Sequence, residues 1–149
     1  MTDFAHRPVL RYDTAARMVA EAVRAARARG LEVAVSVVDA AGHLLAFGRT
    51  DNAPLPRHDR SLERAQEALG AGRAAPAGEA TAHGSRVSEQ PNGRFGPACP
   101  IHRASGGAAL AVDGMVAGAL GIDGPNGEHL GWLLHRVVET VPEAWSCRG

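Results

Sequence analysis

The 149 residues carry 16 basic and 16 acidic side chains, and every basic one is arginine. A balanced charge gives no field for nucleic acid or an anionic membrane surface, and the lack of lysine excludes Schiff-base chemistry and a phosphate-loop lysine. The size fits one domain, a core over about residues 12–141 with a loose tail at 142–149. Aromatics make up only 4% of the chain, so that core is built from Val, Leu, Ile and Ala.

Residues 1–11 are polar, which predicts no secretory leader. No run approaches the ~20 apolar residues of a membrane span. Cys99 and Cys147 fit no zinc or redox spacing, and the simplest location is the cytoplasm with both thiols reduced.

A first helix is expected from a cap at Asp13 or Thr14 to about Arg29. Ala15, Val19, Ala22, Val23 and Ala26 form its apolar stripe, Arg17, Glu21, Arg24 and Arg27 its outer face, and Gly30 its stop. A hairpin follows. Its first strand, Val33–Val38, is apolar on both faces and so belongs in the middle of a sheet. Its turn is Ala40-Ala41-Gly42 and its second strand runs from His43 to Arg49. Thr50–Pro56 reads as a loop.

A second helix is expected over about Arg57–Ala71, with Leu62, Ala65 and Leu69 on its buried row, His58 one turn earlier on that row, and fraying at Gly70-Ala71-Gly72. From Ala75 to Ser105 there is no convincing period, beyond a possible short helix at Glu79–Val87. A segment of that length in a compact domain is often functional. A second hairpin, Gly106–Asp123, nearly repeats the first and turns at Asp113-Gly114. A last helix, about Asn126–Val141, buries Leu130, Leu133, Leu134, Val137 and Val141 and stops at Pro142. This order predicts an α+β domain, an antiparallel sheet of two β-hairpins with helices packed on it.

The run VAVSVVDAAGHLLAFGRTDNAPL (33–55), an Ala-rich helix and then SGGAALAVDGMVAGALGIDG (105–124) resemble the GlcG/HbpS-like family, also called the heme-degrading domain and including the PduO C-terminal domain. The resemblance covers about residues 12–138. It implies a profilin-like α/β/α fold, a homodimer or higher homo-oligomer, and heme as cofactor. Relatives differ in their heme ligand, so no ligand transfers directly. Two departures fall near the implied pocket. Arg64 and Gln66 stand where relatives usually carry a lysine, and Gly127–Trp132 replaces an acidic run at the start of the last helix.

Three constellations offer chemistry. Arg57-His58-Asp59-Arg60 at a helix start suits an anion or a heme propionate through the free backbone N–H groups and positive dipole end there, with Arg57 and Asp59 as ligand-binding positions, and His58 suits iron ligation or acid–base work. The plainer alternative makes Asp59 a favourable first-turn acid and His58 the end of an apolar row. The segment Arg94–Arg103 brings together Arg94, Phe95, Cys99, His102 and Arg103. Cys99 is a candidate nucleophile, His102 a candidate acid–base group, and either a candidate axial iron ligand. A proline-stiffened loop with an incidental thiol is the alternative there. On the last helix Glu128, Trp132 and His135 share one face, beside His129. Glu128 is a candidate proton-transfer group, and His129 and Trp132 are candidates for ligand contact. A solvated or subunit-facing stripe is the alternative.

Two functions compete. One is a heme-binding protein with His58 or His102 on the iron. The other is a cofactor-free isomerase, cyclase or lyase of specialised metabolism that uses His58, His102 and Glu128 on the same scaffold. In both, the partner is a small molecule; a third reading is a structural or interaction module with no ligand.

Overall fold

A computed structural model describes residues 4–74, 103–104, 106–112, 114–125 and 127–140. The first helix, α1, spans Tyr12–Ala28 and buries Ala15, Met18, Val19, Ala22, Ala25 and Ala26. Asp13 and Thr14 lie inside it and do not cap it. Arg11 occupies the cap position in an extended conformation with no side-chain bond, and its carbonyl accepts the N–H of Ala15. Asp13 instead places a carboxylate in the first turn, where the helix dipole favours it. The stop is at Gly30, as expected. Gly30 takes φ +67°, donates to the Arg27 carbonyl, and lets the Leu31 N–H reach Ala26 at 2.9 Å, which closes a Schellman turn.

The hairpins form β1 (Ala34–Asp39) with β2 (Leu44–Arg49), and β4 (Gly107–Val112) with β5 (Met115–Asp123). Asp39 shapes the first turn by accepting the N–H groups of Ala41 and His43. The sheet order is β2-β1-β5-β4-β3, all antiparallel. The fifth strand, β3 (Arg103–Ala104), corrects the expectation that the segment preceding the second hairpin is irregular to its end. Two residues pairing with Ala108 and Gly107 are too few to show a period in sequence.

The second helix, α2, spans Leu55–Ala74 and departs from expectation at both ends. It starts inside the presumed loop, because a proline in a first turn loses no helical bond and Pro56 sits there. It also runs through Gly70 and Gly72 without stopping, since it packs on β5, β4, β1 and β3. Its buried row is Ser61, Ala65, Ala68 and Leu69. Leu62 is only partly buried, and His58 is exposed rather than part of that row.

The third helix, α3 (Gly127–Thr140), buries Leu130, Leu133, Leu134 and Val137 against α1 and the sheet. Val141 and Pro142 lie outside the described residues, as does Glu79–Val87.

The layers are therefore α1 and α3 on one face, the sheet, and α2 on the other. Val35 and Val37 join the core under α1 and α3, and Val38 and Ala119 the smaller core under α2. On the α2 side the helix backbone nearly touches the sheet. A methyl group at Gly107 would meet the Arg64 carbonyl at 2.5 Å, and one at Gly121 would collide with the Ser61 carbonyl and with the Ala65 amide.

This spacing predicts opposite results for two glycine substitutions. Gly121→Ala forces α2 off the sheet and is expected to lower unfolding free energy by about 2 kcal/mol or more. Gly70→Ala meets open space in a helix interior and is expected to raise it by roughly 0.5–1 kcal/mol. Urea titrations of both variants check the pair.

Between the outer helices, Glu21 on α1 accepts from Arg24 Nε at 3.0 Å and pairs with Arg136 of α3 at 3.5 Å. The Arg24 hydrogen bond holds the Glu21 carboxyl below its ordinary value of 4.5, against an opposing push from burial and with help from both guanidinium charges. A lowered carboxylate adds stability above its unfolded value and loses it as pH falls through the folded one. Glu21→Gln is thus expected to differ from the wild type above about pH 4.5 and to converge with it below, as read by thermal melts across acid pH.

Candidate functional site

Among the described residues the buried polar side chains lie where α2 packs on β1 and the end of β5, and just past the end of β2. Thr50, just after β2, is buried. It accepts the Val33 N–H on Oγ1 at 2.9 Å and donates its own N–H to the Val33 carbonyl at 3.0 Å. This fixes the start of the Asp51–Pro54 turn. Ser36, in the middle of β1, meets Ser61 of α2 at 2.7 Å. The Ser61 hydroxyl donates to the His58 carbonyl at 2.8 Å, so Ser36 is the donor to Ser61.

Asp123 ends β5 with its side chain only 3% exposed. Arg64 Nη2 lies 2.8 Å from its Oδ1, and Arg57 Nη1 3.7 Å from its Oδ2. Arg57 and Arg64 are seven residues apart and so share one face of α2. The carboxylate is thereby set between two guanidiniums at the helix's first half. Arg57 Nε and Asp123 Oδ2 are buried without a direct hydrogen-bond partner, which leaves the Arg57 arm the looser of the two.

His58 projects from the same first half of α2. Its ring lies against Phe47 of β2, with centroids 4.4 Å apart and planes tilted by 58°. Its Nδ1 is 3.1 Å from Asp59 Oδ1. Half exposed, it closes one end of a cleft of about 320 Å³ whose wall is Arg49, the Asp51–Pro54 turn and Leu55. Leu55 is 82% exposed there. Arg49 is anchored by Nη1 to the carbonyls of Thr50 and Asp51. Because α2 begins at Leu55, Arg57–Arg60 are not a free helix N-terminus: the Arg57 N–H is taken by the Pro54 carbonyl at 3.0 Å. The anion cradle of backbone N–H groups expected at Arg57 and Asp59 is therefore not present, and Arg57 turns inward to Asp123.

Of the sequence-derived candidates, the structure brings together His58, Asp59 and Arg57. His129 and Trp132 stand on α3, in the opposite layer. Trp132 is partly buried there, with Arg29 Cζ 3.5 Å from its ring centroid. Arg94, Phe95, Cys99 and His102 lie outside the described residues, and Arg103 and Glu128 are described in backbone only, on β3 and α3. Among the described residues no three His, Cys, Asp or Glu side chains converge as a metal site, and no helix is long and apolar enough to cross a membrane.

A family description, haem degrading protein HbpS-like, matches residues 10–129. The chain belongs to the HbpS-like family. Solved structures place this HbpS-like chain in a common fold. Klebsiella pneumoniae protein ORFY, of the family DUF336, aligns at TM-score 0.68 and 22% identity over 95% of this chain and 96% of its own. HbpS aligns at 0.67 and 23%, over 93% and 94%, and a PduOC:heme complex at 0.62 and 23%, over 88% and 94%. No curated protein sequence matches it. The expected α+β fold of the HbpS-like family is the one observed.

Sequence reading passed over Asp123, Ser36, Ser61 and Thr50. The available signal was a polar residue interrupting or ending an apolar strand: Ser36 within Val33–Val38, and Asp123 closing the second hairpin. Asp123→Asn removes the charge that both arginines face. It is expected to destabilise the fold by about 3 kcal/mol, the lower end for breaking a buried pair, because Arg57 and Arg64 are each about a quarter exposed. Urea unfolding of the variant checks it.

Proposed function

We propose that this HbpS-like chain binds heme, with His58 as the iron ligand and the Arg49–Leu55 cleft receiving the edge of the porphyrin. The observation that carries the reading is the state of His58. Its Nδ1 faces the Asp59 carboxylate at 3.1 Å, which leaves Nε2 as the coordinating nitrogen. An outer carboxylate of this kind fixes the tautomer and raises the basicity of a metal-bound imidazole. The donor set suits the group. An imidazole supplies the bond, backed by the Phe47 ring, while exposed Leu55 offers apolar contact to a flat macrocycle. The Arg49 guanidinium at the cleft wall is of the right charge for a propionate.

The family description supports the reading, as does a relative of the same fold that is a heme complex. Bound heme supplies an iron centre for redox or oxygen chemistry. The protein's own residues would hold the ring, orient the imidazole and pair the propionate. Since the cleft is open and His58 half exposed, a second copy of the chain is proposed to cover the remaining face, which fits a homo-oligomer in the cytoplasm.

A heme titration followed by absorbance tests this. The wild type is expected to give a saturable Soret shift. His58→Ala is expected to weaken binding at least about ten-fold and to change the Soret position, and Asp59→Asn to weaken it about ten-fold with the position retained. An unchanged affinity and spectrum in His58→Ala, with circular dichroism showing a folded protein, would overturn the assignment.

A further inference from the structure

A second concavity lies on the other side of β2. It is a groove of about 920 Å³ between the outer flank of α1 and the edge strand, within the size range of small-molecule sites. Its floor is apolar. Val19 and Val23 of α1 form one row, Ala16 and Ala20 a shallower one, and Leu45 and Ala46 the opposite wall. The groove exists because these positions are small. Gly48 lets α1 settle on β2, since a methyl group there would meet Val19 Cγ1 at 2.5 Å and Val23 Cγ2 at 3.4 Å.

The two ends differ in charge. Because β1 begins six residues after α1 ends and Ala34 pairs with Arg49, Arg49 stands at the same end as Arg24 and Arg27. Tyr12 and Leu45 mark the far end. Among the described residues no carboxylate lines the groove. Glu21 beside it neutralises Arg24, which leaves Arg27 and Arg49 at the rim with no carboxylate partner among the described residues. Arg49 is held in place by the carbonyls of Thr50 and Asp51. A cationic end joined to a long apolar floor matches a carboxylate attached to an extended hydrocarbon chain.

We propose that the α1–β2 groove is a binding site for a linear aliphatic monocarboxylate, with its headgroup at Arg27 and Arg49 and its chain along Val19 and Val23 toward Tyr12. The site shares the Arg49 guanidinium with the heme reading but not His58, which lies in the other layer, so changes at Arg27 and Ala20 with Arg49 left intact separate the two.

Calorimetric titration of the full chain with decanoate tests it, with 1-decanol as the uncharged probe. Decanoate is expected to bind saturably at one per chain, and decanol at least about ten-fold more weakly, for loss of the charge-assisted contact. Arg27→Gln is expected to cost about ten-fold, and Ala20→Trp, at an exposed position, to abolish binding. Heme Soret titrations of both variants are expected to match the wild type, and His58→Ala to bind decanoate normally. Absence of saturable decanoate binding would overturn the proposal. So would equal affinity for decanol, or a parallel loss of heme and decanoate in Ala20→Trp. A drop in mass by light scattering in Ala20→Trp, with no decanoate bound by the wild type, would instead make the groove a contact between copies of this chain.

Discussion

The seating of α2 on the sheet decides where everything polar in this protein goes. Two features set it. Gly107 and Gly121 remove the side chains that would hold the helix away, and Asp123 draws Arg57 and Arg64 down onto the end of β5. The first is steric and short-ranged, since an added methyl group collides with helix backbone, which has nowhere to move. The second is electrostatic. A buried carboxylate between two partly exposed guanidiniums gains little net stability over an apolar substitute. It does fix which turn of α2 faces β5. Register of that kind fits the observation that α2 begins at Leu55, earlier than its apolar period implies.

Strand alternation then divides the edge of the sheet into two surfaces. Phe47 pairs with Ser36 and points to the α2 side, where it meets His58, while Ala46 pairs with Val37 and joins the core under α1. Phe47 thereby backs the imidazole that closes the cleft while Ala46 walls the groove, and Arg49 borders both. Thr50 locks the strand's end to Val33, so the two surfaces share one rigid wall. A change in β2 register would exchange their side chains.

Periodic features were legible in the sequence, and contacts across long separations were not. The α1 and α3 stripes, the hairpin turns and the Gly30 stop are local patterns with one physical meaning each. The start of α2 was hidden by Pro54 and Pro56, which read as loop residues although a first turn accepts proline. At two residues, β3 shows no alternation. His58 and Asp59 are adjacent, so their pairing could be anticipated. Asp123 is 59 residues from Arg64, and Ser36 is 25 from Ser61, and nothing local marks them as partners. Arg64 stood out only as a departure from the family's usual lysine. In the structure it still delivers a cation, to a carboxylate the sequence did not single out.

The scarcity of large side chains also bears on function. Alanine and glycine at the helix–sheet contacts let backbones approach closely, which is how α2 and α1 reach the sheet. They also leave hollows wherever two elements diverge, and the flank of α1 is one. Leucine at Ala16 or Ala20 would bury more apolar surface, at about 0.8 kcal/mol per methylene. It would fill a groove whose rim carries two arginines with no carboxylate partner among the described residues. An unfilled apolar floor beside fixed charge is poorly explained by folding alone, because neither feature adds to the stability of the isolated chain. Occupancy explains both: the floor gains its apolar burial, and the arginines their counter-charge, when an amphiphilic anion is in place.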